Sequence, residues 1–436
     1  MLNDMSSENV ANCTTEEITT LKFEPKADSR EYFICAVLMM RQEEKTVQRM
    51  LDSLKDNIDA IVFMDTGSTD NTVDVVTKYC ENNGLRFALF HDEWINDFGR
   101  SRTKSVEYAR QAFPESTHFL MTDADNEWVF EKKLKDIDLP HSGSFDIYTP
   151  TIHNLNLRLL SARLDWKCMM RTHEQWIYDF GEDLFPAREG IVSGVHIVDH
   201  ADGGYKAVKF ERDEKALELD VEEFEHANNK REWYERAMFY LVRTKHALGK
   251  HLEVVELGQK ANLVLRNTEE LYCNMRTTAN SHITLAKNIL YKILDYTKLE
   301  DICREYAPDT PPDLLYEKAV YHITQAVNLC LLAFYVSGAR AESLHDALEI
   351  FEDIGLYEHL YRLCKLARHI SVPEKVGGFR HLFVEPSKYG DRFLLGSSIA
   401  CWYTGRYEKG KEICKYLMEK ESPFSGRAAL NLAHYP

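Results

Sequence analysis

Two carboxylates separated by a single alanine, Asp123 and Asp125, close a short apolar run, Phe119 to Met121, and no Lys or Arg lies between His118 and Trp128. On an extended chain alternate residues face the same side, so the pair could offer oxygens to one hard divalent cation and leave positions for diphosphate oxygens and water. Asp-x-Asp at the end of a buried strand is the device expected to hold a metal-bound nucleotide diphosphate. A solvated turn whose Asp caps the next helix explains the same residues, and the neighbouring segments decide between the two.

A third carboxylate, Asp65, ends the apolar run Ile58 to Met64 and opens Asp65-Thr66-Gly67-Ser68-Thr69-Asp70-Asn71-Thr72. Gly67 marks a turn, and Ser68, Thr69 or Asp70 can cap the helix predicted by Val73, Val75, Val76 and Tyr79, which stops near Gly84. A carboxylate at the carboxyl end of a buried strand also stands where open α/β sheets place ligands, and it can accept a hydrogen bond from a nucleobase N–H. Apolar spacing defines the scaffold for these groups. Tyr32 to Met40 is a continuous apolar run of the kind buried on both faces of a sheet, and it ends in Arg41-Gln42-Glu43-Glu44. Val47, Met50, Leu51 and Leu54 predict a helix over 45–55, and Leu85 to Phe90 is a third apolar segment. A further helix runs through Ala112 to the strand before Asp123. Strand and helix in such short succession predict parallel pairing, an α/β fold.

Composition sets the bounds. With 436 residues, 44% hydrophobic and 11% aromatic, the chain can bury two cores. A formal charge of -17 without a basic run argues against nucleic acid as a partner. Ten cysteines without a Cys-x-x-Cys pair read as buried free thiols in a reducing compartment. Residues 1–30 are a polar, poorly ordered lead without a signal-peptide core, and no stretch approaches the ~18 apolar residues of a membrane span. A cytoplasmic protein is the expectation.

Downstream, Phe145 to Ile152 and Leu155 to Leu160 are extended, and Asp165 to Trp176 carries His173 and Glu174. Ile191 to Gly203 holds His196 and His200. Beyond Lys206 helical periodicity takes over, beginning with an acidic helix, Phe210 to Phe224, whose Asp and Glu read as a solvated face. Tyr234 to Gly249 and Asp391 to Gly405 each lead into a Gly-basic-aromatic turn, as in tetratricopeptide hairpins. Between them, Tyr316 to Leu332 and Ala341 to Ile370 read as long amphipathic helical stretches, and Pro373, Gly377, Gly378 and Pro386 mark a break. Such an array could hold an acceptor, or it could serve as a structural or homodimerisation element.

Taken in order, Arg41-Gln42-Glu43-Glu44, Asp65 to Thr72, Trp94 with Asp97-Phe98 and Arg102, and Asp123-Ala124-Asp125 resemble the family 2 glycosyltransferases of GT-A fold. More narrowly they resemble the branch in which a short GT-A domain precedes tetratricopeptide-like helices, including peptide S-glycosyltransferases. The likeness covers residues 31 to 215; Gln42 departs from it, because that branch usually has Asn there. It implies an α/β GT-A nucleotide-diphospho-sugar transferase domain over 31–208, followed by an irregular all-α, TPR-like helical-hairpin array over 209–436. By resemblance, Glu43 and Asp65 line the nucleoside pocket and Arg102 approaches the nucleotide or braces the Asp65 loop. Asp123 and Asp125 hold Mn2+ or Mg2+ and, through it, the diphosphate, with His200 as a third metal ligand. Arg158-Leu159-Leu160 and His173-Glu174 match two later motifs of the branch. Glu174 is the candidate base for direct displacement, with a surface ion pair to Arg163 or Arg171 as the competing reading. His173 is an acceptor contact or a structural histidine. The implied activity is metal-dependent, inverting transfer from a UDP- or GDP-linked sugar to a protein, peptide or glycan. A nucleotidyltransferase is disfavoured because no glycine follows the first strand, and a helical scaffold carrying an inactive GT-A domain is the alternative.

Overall fold

The computed structural model describes residues 32–149, 153–179, 187–202, 209–227, 230–295, 298–338, 340–373 and 381–436. The expected lead, 1–30, and the 208/209 boundary lie outside the described residues. The first half alternates as the apolar spacing predicts: β1 (Ile34–Met40), α1 (Val47–Leu54), β2 (Ala60–Asp65), α2 (Thr72–Asn83), β3 (Arg86–His91), α3 (Phe98–Ala112) and β4 (His118–Thr122). β1 is apolar throughout because both its faces are covered. Ile34, Ala36, Leu38 and Met40 join Val47, Met50, Leu51 and Leu54 of α1 in one core layer. Cys35 and Val37 point the other way, to Val106, Ala109 and Phe113. A period of two thus deals one apolar run into two cores.

β5 (Asn126–Phe130), β6 (Ser142–Tyr148), β7 (His153–Ser161), β8 (Asp165–Met169), β9 (Gln175–Asp179) and β10 (Glu189–Asp199) complete the strands. Eight of them form one sheet in the order β3-β2-β1-β4-β7-β6-β10-β5, while β8 and β9 pair as a separate hairpin. β3, β2, β1 and β4 run parallel, and β7 pairs antiparallel to β4. The chain steps from β1 outward to β3 and returns to the opposite side of β1 at β4. A crevice therefore opens at the carboxyl ends of β1 and β4, where such sheets bind ligands. Met40 stands opposite Asp65 in the register, so the loops after β1 and β2 share that edge.

The second half is helical: α4 (Lys209–Glu225), α5 (Arg231–Ala247), α6 (His251–Val264), α7 (Thr268–Leu294), α8 (Leu299–Tyr306), α9 (Leu315–Ser337), α10 (Glu342–Asp353), α11 (Tyr357–Ala367), α12 (Asp391–Tyr403), α13 (Tyr407–Glu419) and α14 (Ser425–His434). The two echoing hairpins are present, and Gly249 and Gly405 supply their left-handed turns at φ 73° and 72°. Ala341 to Ile370 is two helices rather than one stretch, split where Gly355 adopts φ 74°. The 27-residue α7 escaped the apolar pattern because its buried face carries Asn274, Thr277, Thr278, Ser281 and His282. Local bonds satisfy several of these groups, such as Thr278 Oγ1 to the Asn274 carbonyl at 2.8 Å.

Two expectations need correction. Pro312–Ser337 is long and apolar enough to cross a membrane by length and composition. Here it contributes α9, which lies along α7 with small residues, Ala319, Ala326, Cys330 and Ala333, buried. The acidic face of α4 is not simply solvated, because Asp213, Glu214 and Asp220 are buried. They are held by bonds to Thr172, to Lys245 and Lys250, and to Arg171. The nine described cysteines are free, as the scattered spacing predicts.

Deep in the helical half, fully buried Arg340 pairs with Glu342 at 3.0 Å and with Glu269 at 2.7 Å. Burial disfavours charge on Glu342, but Arg340 and the Tyr389 hydroxyl more than offset this and hold its carboxyl at about 2. A carboxyl depressed on folding contributes stability that is complete above its unfolded value and is lost as pH falls toward the folded one. Urea titrations should therefore show a loss on the order of 1–3 kcal/mol between roughly pH 5 and pH 2.5 that Glu342→Gln lacks. Parallel pH profiles for the two proteins would refute this assignment.

Candidate active site

Hydrogen bonds zip together the loops that leave β1 and β2. Gln42 takes a left-handed φ of 60°, and its side-chain oxygen accepts the backbone N–H of Thr69 at 2.7 Å. The Gln42 backbone N–H donates to Ser68 Oγ at 3.1 Å. Asn enters the left-handed region more readily than Gln, which gives a physical reason for the Asn usual at this position in the resembling branch. Next to it, the Glu43 N–H donates to Thr72 Oγ1 at 2.7 Å, and the Glu43 carboxylate accepts the Thr46 hydroxyl at 2.7 Å. Asp70, rather than Ser68 or Thr69, receives the N–H of Thr72, the first residue of α2, at 3.1 Å. Asp65 is 4% exposed, and its oxygens accept the N–H of Gly67 and Ser68 at 3.3 and 3.1 Å, with His91 Nδ1 at 3.3 Å.

Arg102, on α3, is the hub. Its Nη2 donates to Asp123 Oδ1 at 2.9 Å and its Nε to Glu174 Oε1 at 2.7 Å. Arg158, on β7, meets the other Asp123 oxygen at 2.8 Å. Burial penalises the Asp123 charge, yet the two guanidinium groups hold its carboxyl well below the usual range. Glu174, half-buried, is penalised by desolvation too, and Arg102 again prevails and holds its carboxyl below the usual value. The sequence brings no Lys or Arg near Asp123; the fold brings two.

The two aspartates do not share one extended strand. β4 ends at Thr122, and 123–125 turn back into β5, closed by the Asn126 N–H on the Asp123 carbonyl at 3.1 Å. Asp123 therefore faces the arginines, while Asp125 belongs to a second cluster. The His200 backbone N–H donates to the Asp125 carbonyl at 3.2 Å, and His200 Nε2 stands 2.7 Å from Glu127 Oε2. Arg49, bound to Asp202 at 2.7 Å, lies close enough to feel the charges of Glu127 and Asp125. Among the described residues, the side chains whose ligand atoms converge within 4.8 Å are His345, Asp346 and Glu349 of α10, and not Asp125, Glu127 and His200. The contact between Glu127 and His200 was not read from the sequence.

Glu174 ends the loop between β8 and β9, and close packing fixes that loop. The Gly99 and Phe98 N–H groups donate to the Met170 and Arg171 carbonyls at 3.1 and 3.0 Å. A Cβ on Gly99 would stand 2.5 Å from the Met170 oxygen, so only glycine fits. Arg171 binds Asp220 and Glu223 of α4 rather than Glu174. His173 stacks on Tyr240 of α5 at 3.8 Å between ring centres, and burial pushes its imidazole down to about 4. It joins the two halves of the chain.

A cleft of about 160 Å3 is lined by Met40, Arg41, Glu43, Thr66, Trp94, Arg102 and Asp123, together with Arg212 from α4. Of the sequence-predicted residues, it gathers Glu43, Arg102 and Asp123. Glu174 reaches it through Arg102, Asp65 braces its floor loop from behind, and Asp125 with His200 forms the neighbouring cluster.

Residues 35–180 match the Glycosyl transferase family 2 model. A segment of 101 residues is 34% identical to the SPbeta prophage-derived glycosyltransferase SunS of Bacillus subtilis, and it covers 23% of this chain and 22% of that protein. Another of 113 residues is 28% identical to a TPR repeat-containing protein of Synechococcus elongatus, covering 25% of each. The chain thus spans about a quarter or less of the length of these curated relatives. Among solved structures, S. aureus TarS 1-349 in complex with UDP aligns at 15% identity and a TM-score of 0.31, over 71% of this chain and 92% of that one.

Proposed function

We propose, from the match of residues 35–180 to the Glycosyl transferase family 2 model, that the protein moves a sugar from a UDP- or GDP-linked donor to a protein, peptide or glycan acceptor. The observation that carries the reading is the crevice at the carboxyl ends of β1 and β4, where Glu43, Arg102 and Asp123 line one cleft. Arg102 and Arg158 bring positive charge to the place where a diphosphate leaves, and Glu174, kept ionised by Arg102, is the group to accept the acceptor's proton. As that proton transfers, the acceptor atom bonds the anomeric carbon, and the bond from that carbon to the diphosphate oxygen breaks. The divalent ion that the resemblance implies, with Asp123, Asp125 and His200 as its expected ligands, would supply Lewis-acid neutralisation of the leaving group. The helical array is the proposed platform for the acceptor.

Calorimetric titration with UDP and GDP, with and without Mn2+, tests this on the intact chain. One nucleotide should bind in a metal-dependent way, and Asp125→Ala should weaken it by about 10–100-fold. A folded sample that binds neither would overturn the enzyme reading and leave a helical scaffold carrying an inactive domain.

A further inference from the structure

Arg212 reaches the cleft from beyond the segment that matches the family, on the first turn of α4. Its side chain lines the same space as Glu43, Trp94, Arg102 and Asp123. Its position is fixed from two directions. Nε and Nη2 donate to Asp213 Oδ1 at 3.2 and 2.9 Å, and the guanidinium carbon lies 5.0 Å from the centre of the Phe98 ring. Asp213 is 1% exposed and also accepts the Thr172 hydroxyl at 3.2 Å, so the carboxylate that orients Arg212 is itself held by the loop leading to Glu174.

The character of the cleft says what such a group would meet. In a chain of net charge -17, this one space is lined by Arg41, Arg102 and Arg212 against Glu43 and Asp123. Asp123 and Glu174 balance Arg102 and Asp213 balances Arg212, so what the space offers an anion is a set of oriented guanidinium donors and not net charge. A guanidinium carries five N–H donors in a planar fork, and Asp213 engages the donors of two nitrogens, on one side of that fork. The fork matches phosphate oxygens better than an ammonium does. Stacking on Phe98 keeps it oriented before a ligand arrives, which reduces the ordering cost of binding.

We propose that Arg212 is a donor-binding residue whose guanidinium contacts the diphosphate of the nucleotide sugar, so that the donor site is completed by the helical half of the chain. The assignment rests on reading the cleft as a nucleotide-sugar site. It makes α4 part of the binding machinery rather than a connector.

The test compares the intact protein with Arg212→Met, which keeps apolar bulk over Phe98 without the charge, and with Arg212→Lys. Each is titrated with UDP, UMP and uridine, and with the guanine series, in the presence of Mn2+, and thermal unfolding confirms that the variants are folded. The expected result is a loss of about 10–100-fold for the diphosphate in Arg212→Met, uridine or guanosine affinity unchanged, and partial recovery in Arg212→Lys. Equal diphosphate affinity in parent and Arg212→Met would overturn the proposal while leaving the nucleotide-sugar reading intact. A loss that falls equally on nucleoside and diphosphate would also overturn it, since Arg212 would then only shape the cleft. A parent protein that binds no nucleotide would remove the cleft reading and this assignment together.

Discussion

Arg102→Met should lose about 1–3 kcal/mol of folding stability and bind neither UDP nor GDP. The guanidinium is 10% exposed and is shared between Asp123 and Glu174, whose side chains are 29% and 21% exposed. Without it, Glu174 stays half-buried and loses the cation that outweighs its desolvation. Asp123 keeps Arg158 alone. Leaving a buried charge uncompensated costs more than the pair contributes when intact, so the loss should exceed that of a surface ion pair several-fold. Urea unfolding of the single variant and of Arg102→Met in an Asp123→Asn, Glu174→Gln background separates the causes. In that background the penalty should shrink to that of lost packing. A full penalty in both would mean that Arg102 stabilises the fold through its shape and not its charge.

The second large effect is on turnover. Glu174→Gln should lower the release of nucleotide from the sugar donor by about 10²–10⁴-fold while donor affinity stays near that of the parent. The amide keeps an oxygen that Arg102 Nε can bond and removes the proton acceptor. The pH profile adds a sign. Because Arg102 holds the Glu174 carboxyl below its ordinary value, the base stays ionised throughout the neutral range, and the limb it causes lies below about pH 4.5. Activity that falls between pH 7 and pH 5 and is insensitive to Glu174→Gln would move the base to another residue. A fully active Glu174→Gln would reduce Glu174 to a brace for Arg102.

Where one physical signal dominated, the sequence was readable. The buried strands β1, β2 and β4 stood out because a run covered on both faces is apolar without interruption, and their carboxyl ends located Glu43, Asp65 and Asp123. Helix ends at Gly84, Gly249 and Gly405 were legible because a left-handed residue asks for glycine. Pairings across the fold were not. Arg158 meets Asp123 only after β7 turns antiparallel to β4, and Asp213 and Asp220 of α4 looked solvated because their partners, Thr172 and Arg171, lie 41 and 49 residues away. The divergence of Asp123 from Asp125 was equally hidden, since a two-residue spacing reads as a shared face on a strand and as nothing of the kind in a turn.

The anchoring of α4 bears on how such a protein can be altered by descent. The helix binds Arg171 and Thr172 on one side and Lys245 and Lys250 of the array on the other, so its surface is tailored to both neighbours at once. An exchange of helical arrays between related genes that cut ahead of Lys209 would import an α4 with no matching Arg171 and Thr172. A crossover beyond Glu225 keeps α4 with the strands it grips, but the new array must then present lysines to Glu214 and a ring to His173 in place of Tyr240. On the proposal that the array is the acceptor's platform, a change of acceptor would proceed by replacing the hairpins beyond those contacts, and α4 itself would travel with the strands.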